Sequence, residues 1–335
     1  MPRSPSSSSG MKMLIAFLVL LAIVVGIVFF SGWHEGKECH KIDCTSRTAI
    51  LSAFGPELDL LVETTTVSKV VTINGRTFTL GVLEGKNVVL TKTGISMVNA
   101  AMSTMAAISN FEINAILVSG IAGGINNTLH IGDVTVAERW ASYHEAYYAR
   151  EINSTFPQPF PIPGVYDPAP DIDATQNFGM FYPQGTYLSD SQGTADAETL
   201  TTWMYCDPAL LAVAQSIVGL VPLEQSGINI FTNLTANLTY PPRLVVGGNG
   251  VAGTVFVDNA AFRNYTGLVW NPNALDMESS AVAHVATVNH IPFLVFRSLS
   301  DLAGGGPGEN EIGIFLGIAA HNAAEALLTF LQAWN

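Results

Sequence analysis

The chain predicts an α/β fold in which helices cover a sheet, and three stretches carry that prediction. The first is a strand, a helix and a second strand between Asn273 and Gly306. The second is a buried-looking strand, Ala115-Ile-Leu-Val-Ser, running into the glycine-rich turn Gly120-Ile-Ala-Gly-Gly124. The third is a long apolar helix from about Ile312 to Ala333. Strands alternating with helices build layered domains, because a sheet face and a helix stripe each need an apolar partner.

The chain has 335 residues, 48% of them hydrophobic and 12% charged, with a net charge of −13. That balance argues against nucleic-acid binding, which needs a basic stripe to displace counterions. Residues 1–12 open with a low-complexity, Ser-rich tail expected to be disordered and cytoplasmic. Met13 to Phe30 is an unbroken apolar run behind Arg3 and Lys12, long enough to span a bilayer with its basic side inward. It is either a retained anchor or a cleaved signal peptide. The absence of a clear small-x-small site favours the anchor. Residues 31–47 form a stalk, and the folded domain is expected over 48–335, about 290 residues and enough for one large α/β domain. The domain is thus expected in the secretory pathway: lumenal or extracellular on an anchor, or secreted or vacuolar after cleavage. Five Asn-x-Ser/Thr triplets, at Asn126, Asn153, Asn233, Asn237 and Asn264, agree with export. So do the three cysteines, which allow Cys39–Cys44 or Cys44–Cys206 with one thiol left over. His34-Glu35, Cys39-His40 and Asp43-Cys44 match no closed zinc spacing, so no metal is expected there.

In chain order, Ala49–Phe54 reads as the first strand. Gly55-Pro56-Glu57 turns into a helix with Pro56 at a first helical position and Glu57 as a first-turn acid complementing the dipole. Val67 to Thr93 reads as three strands with turns at Asn74-Gly75 and near Glu84-Gly85-Lys86. Thr93-Gly94-Ile95-Ser96 leads into an Ala- and Met-rich helix over 97–109. After the glycine segment, Gly132–Glu138 is a strand. Tyr143–Thr201, rich in Pro, Gly, Asp and aromatics, is an irregular insertion, a candidate lid or oligomer contact. His144 within it is a surface packing residue or a substrate contact. A helix over 208–218 and a strand over 243–247 follow. Apolar spacing at Ala281, Val282, Val285 and Val288 gives a helix over 279–289, and Pro292-Phe-Leu-Val-Phe marks a buried strand from Ile291 to Arg297, which then ends in Ser300-Asp301. Glu278 and Asp301 then fall at neighbouring strand ends, the edge where open α/β sheets bind ligands. An acid at such a place is commonly a helix cap.

Asp276-Met-Glu-Ser-Ser-Ala and Arg297-Ser-Leu-Ser-Asp301 resemble the paired signatures of the nucleoside phosphorylase/nucleosidase superfamily, nearest in pattern to methylthioadenosine/S-adenosylhomocysteine nucleosidases. Val255–Arg263 and Leu302-Ala-Gly-Gly-Gly resemble its plant bark-storage-protein branch. The resemblance implies one three-layer α/β/α domain around a mixed twisted sheet, assembled as a homodimer or homotrimer, with no cofactor and a purine nucleoside as its small-molecule partner. It implies that Glu57 activates water, that Glu278 holds ribose hydroxyls and that Asp301 protonates the purine. Met277 then packs on the sugar, while Phe256 and Val257 meet the base and Arg297 orients Glu57 or the water or pairs with a carboxylate. Gly94, Ile121, Ala122, Gly123 and Ser300 line the rest, with Ile121 standing where a small hydroxyl residue is usual. Neither Thr93–Asn99 nor Val118–Asn126 holds an Arg or Lys to clamp phosphate. Water is therefore expected as nucleophile, which makes hydrolysis of the N-glycosidic bond the expected reaction. The alternatives are a phosphorylase, a catalytically weak glycosylated storage or nucleoside-binding protein, and a binding component of nucleoside uptake.

Overall fold

A computed structural model describes residues 39–150, 166–190 and 197–335. The apolar run at 13–30, the His34-Glu35 pair and the Asn153 triplet lie outside the described residues. The chain divides into two compact units, Met1–Cys44 and Thr45–Asn335. In the first, Cys39 and Cys44 form a disulfide, while Cys206, in the second, is a buried free thiol.

The larger unit is built on a twelve-stranded mixed sheet. Its strands are β1 (Asp43–Ser52), β2 (Thr66–Ile73), β3 (Arg76–Leu83), β4 (Lys86–Lys92), β5 (Phe111–Gly124), β6 (Val134–Val136) and β7 (Arg139–Ser142). They continue with β8 (Met204–Tyr205), β9 (Leu244–Val246), β10 (Asn249–Ala252), β11 (Pro272–Asp276) and β12 (Phe293–Asp301). The helices are α1 (Gly55–Glu63), α2 (Met97–Asn110), α3 (Pro208–Ser216), α4 (Ala260–Trp270), α5 (Ser279–Val288) and α6 (Ile312–Ala333). The main path runs β8-β7-β10-β11-β5-β1-β4-β3-β2, with β12 paired to β5 and β6 off that path. β1 begins at Asp43, upstream of the expected start at Thr48.

Local chemistry sets the elements. Asn74-Gly75 and Glu84-Gly85 both adopt positive φ at both positions, the geometry that lets a two-residue turn match strand twist in β2–β3–β4. Asp207 accepts from the backbone N–H groups of Ala209 and Leu210, capping α3 ahead of Pro208. β12 is buried at every position, as a strand covered on both faces must be. α6 packs on β5, β12 and α1, while α2 packs on α5. α6 is long and apolar enough to cross a bilayer, yet most of its apolar stretch is buried in the protein. Leu327 and Leu331 are fully buried there, so truncating either to Ala costs about 2–5 kcal/mol.

Three expectations change. The segment Gly120–Gly124 is not a turn: β5 stays extended to Gly124, because its far end pairs β12 on one side and β11 on the other. Glu278 and Asp301 are therefore not on adjacent strands; the end of β5 runs between them. Arg297 is not at a strand end, since β12 continues past it to Asp301. The described part of the 143–201 insertion consists of short hairpins, Ala146–Tyr148 with Phe181–Pro183 and Thr186–Ser189 with Glu198–Thr201.

Candidate active site

The C-terminal ends of β5, β11 and β12, the start of α1 and the loop after β10 surround a cavity of about 260 Å³. Ile121, Ala122, Gly123, Phe256, Val257, Met277, Glu278, Ser300, Asp301 and Glu57 all line it, as the signatures imply. Gly94 does not. Its N–H is used by the Ala53 carbonyl instead, and its neighbour Ile95 faces the cavity. Arg297 also stays off the cavity wall, beneath the floor and 1% exposed.

That arginine is the centre of the site. Its Nε lies 2.7 Å from Asp276 Oδ2, its Nη2 3.3 Å from Glu278 Oε2 and its Nη1 3.6 Å from Glu57 Oε1. Nη1 also donates to the Ile121 carbonyl at 3.1 Å. Gly120 makes the approach possible: a Cβ there would come within 2.2 Å of Arg297 Nη1 and 2.5 Å of Glu57 Oε1. One cation thus faces three carboxylates in a nearly dry setting. Like charges held this close cannot all stay ionised without cost, so protons are retained in the cluster.

Each acid is fixed differently. Glu57 accepts from Ala53 N at 2.7 Å and Phe54 N at 3.4 Å on one oxygen, and from Ile121 N at 2.8 Å on the other. It is the first-turn helix acid and a cavity acid at once. Burial pushes its pKa up to about 7, against the pull of Arg297. Glu278 accepts from Ser96 N at 2.8 Å, and burial raises its pKa despite Arg297. The capping duty at α5 falls on Asp276, whose Oδ1 accepts from Glu278 N and Ser279 N at 2.9 Å each. Glu278 is thereby left to face the cavity. Ser96 adopts φ 84, ψ 158, a region costing a residue with a side chain about 1–3 kcal/mol, and strain of this kind clusters at functional sites.

Asp301 is aimed by a bulge. Leu299 pairs with Ala122 and Asp301 with Gly123, leaving Ser300 as an extra residue on β12; such an insertion redirects the side chains that follow. Asp301 Oδ1 accepts from Ala303 N at 2.8 Å and Asn310 Nδ2 at 3.4 Å, while Oδ2 is 2.9 Å from Ser300 Oγ. Burial raises its pKa above the ordinary carboxylate range, against those hydrogen bonds. With two N–H donors on Oδ1, Oδ2 is the oxygen left to carry a proton.

The opposite wall is apolar: Phe54, Ile95, Ile312 and Leu316. Sequence reading missed these and Asp276. Asp276 was within the quoted signature, and its spacing to Ser279 is that of a cap. Ile312 and Leu316 come from a helix whose chemistry gave no signal. Ile121 contributes its backbone N–H and carbonyl to Glu57 and Arg297, so its apolar side chain does not empty the position of polar function. Phe256 is half exposed, in a loop and not on an edge strand. Among the described residues lining the cavity, none is Lys or Arg.

Fold and site together define an α/β protein with an acid-lined cavity at one edge of its central sheet. A family profile described as the Phosphorylase superfamily matches residues 47–332, and the chain belongs to that family. A 5'-methylthioadenosine/S-adenosylhomocysteine nucleosidase of Lysinibacillus sphaericus is 28% identical, the match covering 84% of this chain and 97% of that protein. One from Marinomonas is 29% identical over 78% of this chain and 87% of the relative. The fold is shared with the S. pneumoniae nucleosidase of the same name, solved with the transition-state inhibitor MT-ImmA, at TM-score 0.60, 23% identity and coverage of 86% and 100%. It is shared too with futalosine hydrolase of Helicobacter pylori, at TM-score 0.59, 19% identity and coverage of 85% and 97%.

Proposed function

We propose that the chain is a purine nucleosidase, hydrolysing the N-glycosidic bond of a purine nucleoside to free base and sugar. The carrying observation is four buried acids at one cavity, Glu57, Asp276, Glu278 and Asp301, with Arg297 beneath them and, among the described residues, no cation on the wall. Among the described lining residues phosphate finds no Lys or Arg to clamp it, whereas Glu57 offers a carboxylate to take a proton from water.

Cleavage leaves positive charge on the anomeric carbon and sends the bonding electron pair to the base. Asp301 gives the proton on Oδ2 to the purine, at N7, making the base a better leaving group. Ser300 Oγ, between that oxygen and the Ala122 carbonyl, donates to the Ala122 carbonyl while Asp301 is protonated and to the carboxylate left behind once the proton has gone to the base. Glu57 takes a proton from the water whose oxygen bonds to the anomeric carbon. Its pKa of about 7 suits a base working near neutrality. Glu278 holds the ribose hydroxyls, an interaction that strengthens as the sugar becomes cationic. Met277 packs on the sugar, and Phe256 and Val257 on the base. Arg297 keeps Glu57 and Glu278 in place from below. The apolar wall of Phe54, Ile95, Ile312 and Leu316 suits a 5' substituent without charge, as in the methylthioadenosine named for its relatives.

We propose further that the protein works in the secretory pathway, held by residues 13–30 or released, as a glycoprotein homodimer or homotrimer. The Cys39–Cys44 disulfide supports an oxidising compartment. The exposed stripe of Ile95, Val98, Met102 and Met105 on and before α2 supports self-association.

Incubating the purified protein with inosine, adenosine and methylthioadenosine, with and without phosphate, tests the function. Base released without phosphate, and lost in Asp301→Asn, is the expected result. Release only with phosphate makes it a phosphorylase. No release, with nucleoside still bound, makes it a binding or storage protein.

A further inference from the structure

The loop after β10, residues 253–259, carries Phe256 and Val257 and has no regular structure of its own. Among the described residues, backbone bonds hold it near its ends: Gly253 N donates to the Asp276 carbonyl at 3.1 Å, and Asn259 N to the Ala303 carbonyl at 3.3 Å. Two consecutive side chains outside the cavity hold its first three residues. The Tyr143 ring lies flush beneath Gly253, where a Cβ would come within 2.5 Å of the ring. The Tyr143 hydroxyl donates to the Val255 carbonyl at 3.0 Å. His144 Nδ1 accepts from Thr254 N at 2.8 Å, with Thr254 Oγ1 at 2.9 Å. The Thr254 N–H aimed at Nδ1 requires the tautomer with its proton on Nε2. Burial of the inner part of the ring lowers its pKa, which favours that neutral form.

Tyr143 is itself braced. Its ring is edge-on to Phe262 of α4 at 5.6 Å, and Phe178 of the insertion is edge-on to the same Phe262 at 5.1 Å. Such contacts each add about 0.5–1.5 kcal/mol beyond burial. The insertion begins at Tyr143, so its own aromatic residues support the pair that grips the loop.

We propose that Tyr143 and His144 are positioning residues that set the height and angle of Phe256 and Val257 against the purine. Phe178, from the described part of the insertion, braces that pair through Phe262. The purine in this statement rests on the nucleosidase reading; the grip on the loop does not.

Two readouts test it on the full chain. In His144→Ala, KM for the nucleoside rises about tenfold while kcat stays within about threefold, because base binding loosens and the acid groups do not move. His144→Asn, whose Oδ1 can take the place of Nδ1, returns KM to near the wild-type value. Tyr143→Phe keeps the ring and loses the hydroxyl, and its KM rises severalfold. Independently of turnover, amide hydrogen exchange at Thr254 is at least about tenfold faster in His144→Ala and unchanged in His144→Asn. An unchanged KM in both His144→Ala and Tyr143→Phe overturns positioning, as does a KM rise that Asn fails to reverse. Equal loss in kcat and kcat/KM points to a disturbed acid cluster and overturns it too. If wild type releases no base, the nucleosidase reading fails, and exchange at Thr254 still decides the grip: no acceleration in His144→Ala removes it.

Discussion

Asp133 and Asp276 are both buried aspartates beside an arginine, yet they sit in opposite electrostatic settings. Asp133 accepts from His130 N and Arg243 N at 3.0 Å each, with Arg243 Nε at 3.6 Å. Its arginine is 56% exposed, so one carboxylate meets backbone donors and a cation that water still reaches. Asp276 shares a fully buried guanidinium with Glu278 and Glu57. At about 4 Å and an effective dielectric near 20, two like charges repel by about 4 kcal/mol. The first cluster ties a loop to β6. The second holds more acid than base next to a cavity and so must keep protons, which is what a proton-transfer site needs. The difference lies in the ratio of acids to cations, in the burial of the cation and in access to the cavity, not in the burial of the aspartate itself.

The largest effect expected from this contrast is at Arg297. Arg297→Met leaves three buried carboxylates without their cation, and breaking a buried pair this way costs about 3–5 kcal/mol. The loss should grow as pH rises and the acids ionise, so urea midpoints at pH 6 and pH 8 should separate further in the variant than in wild type. An equal loss at both would remove charge as the reason. Next is Asp301→Asn, where an amide keeps the acceptor for Ala303 N but has no proton to give. A drop in kcat of about 10²–10⁴ is expected, with the unfolding midpoint little changed. Single-turnover kinetics checks it.

Much of this contrast was legible beforehand, and the reasons for the rest are physical. Glu278 and Asp301 could be placed because apolar periodicity fixes where a strand stops and a helix starts. Glu57 could be placed because Pro56 marks a helix start. Arg297 was misplaced by its distance along the strand: only the register with β5 sets it opposite Gly120, and register is a property of two segments. The resemblance alone assigns Gly94 to the pocket; here its freedom serves a positive φ and a bond to Ala53. The insertion showed no periodicity because its hairpins are too short to have any, being held by side chains such as Tyr166 to the Pro183 carbonyl.

The pH profile sharpens the comparison at intermediate size. Glu57 must be ionised to accept a proton, so kcat/KM should rise roughly tenfold per pH unit on the acid side and level off through about 7. Asp301 must be protonated, so the rate also falls as Asp301 ionises, giving a bell whose basic limb belongs to an acid that burial raises. Stability runs the other way for Glu57. Its native pKa lies above the model-compound value of 4.5, so the folded state holds that proton more tightly. The stabilisation is full below pH 4.5 and is lost as pH climbs through about 7. Glu57→Gln should abolish the acid limb of the rate profile; an unchanged limb would assign it elsewhere.

Smaller again is Phe256→Ala, where a half-exposed ring is lost from the base side. Stacking of this kind amounts to about 0.5–1.5 kcal/mol. KM should rise several- to tenfold with kcat nearly unchanged, as read from initial rates.

The smallest effect should come from the other half of the comparison. Arg243→Ala removes the exposed guanidinium from Asp133 but leaves both backbone donors, because Arg243 N belongs to the main chain and stays. An exposed ion pair contributes at most about 1 kcal/mol, since water solvates the separated charges almost as well as they solvate each other. The urea midpoint should shift by less than that, the shift should shrink in high salt as screening replaces the partner, and kcat/KM should not move. Arg243→Ala and Arg297→Met remove the same side chain from a buried aspartate. If their costs came out equal, the number of carboxylates sharing the cation would have no bearing on stability. The surplus of acid around Arg297 would then lose its standing as the feature that separates a reactive cluster from a structural one.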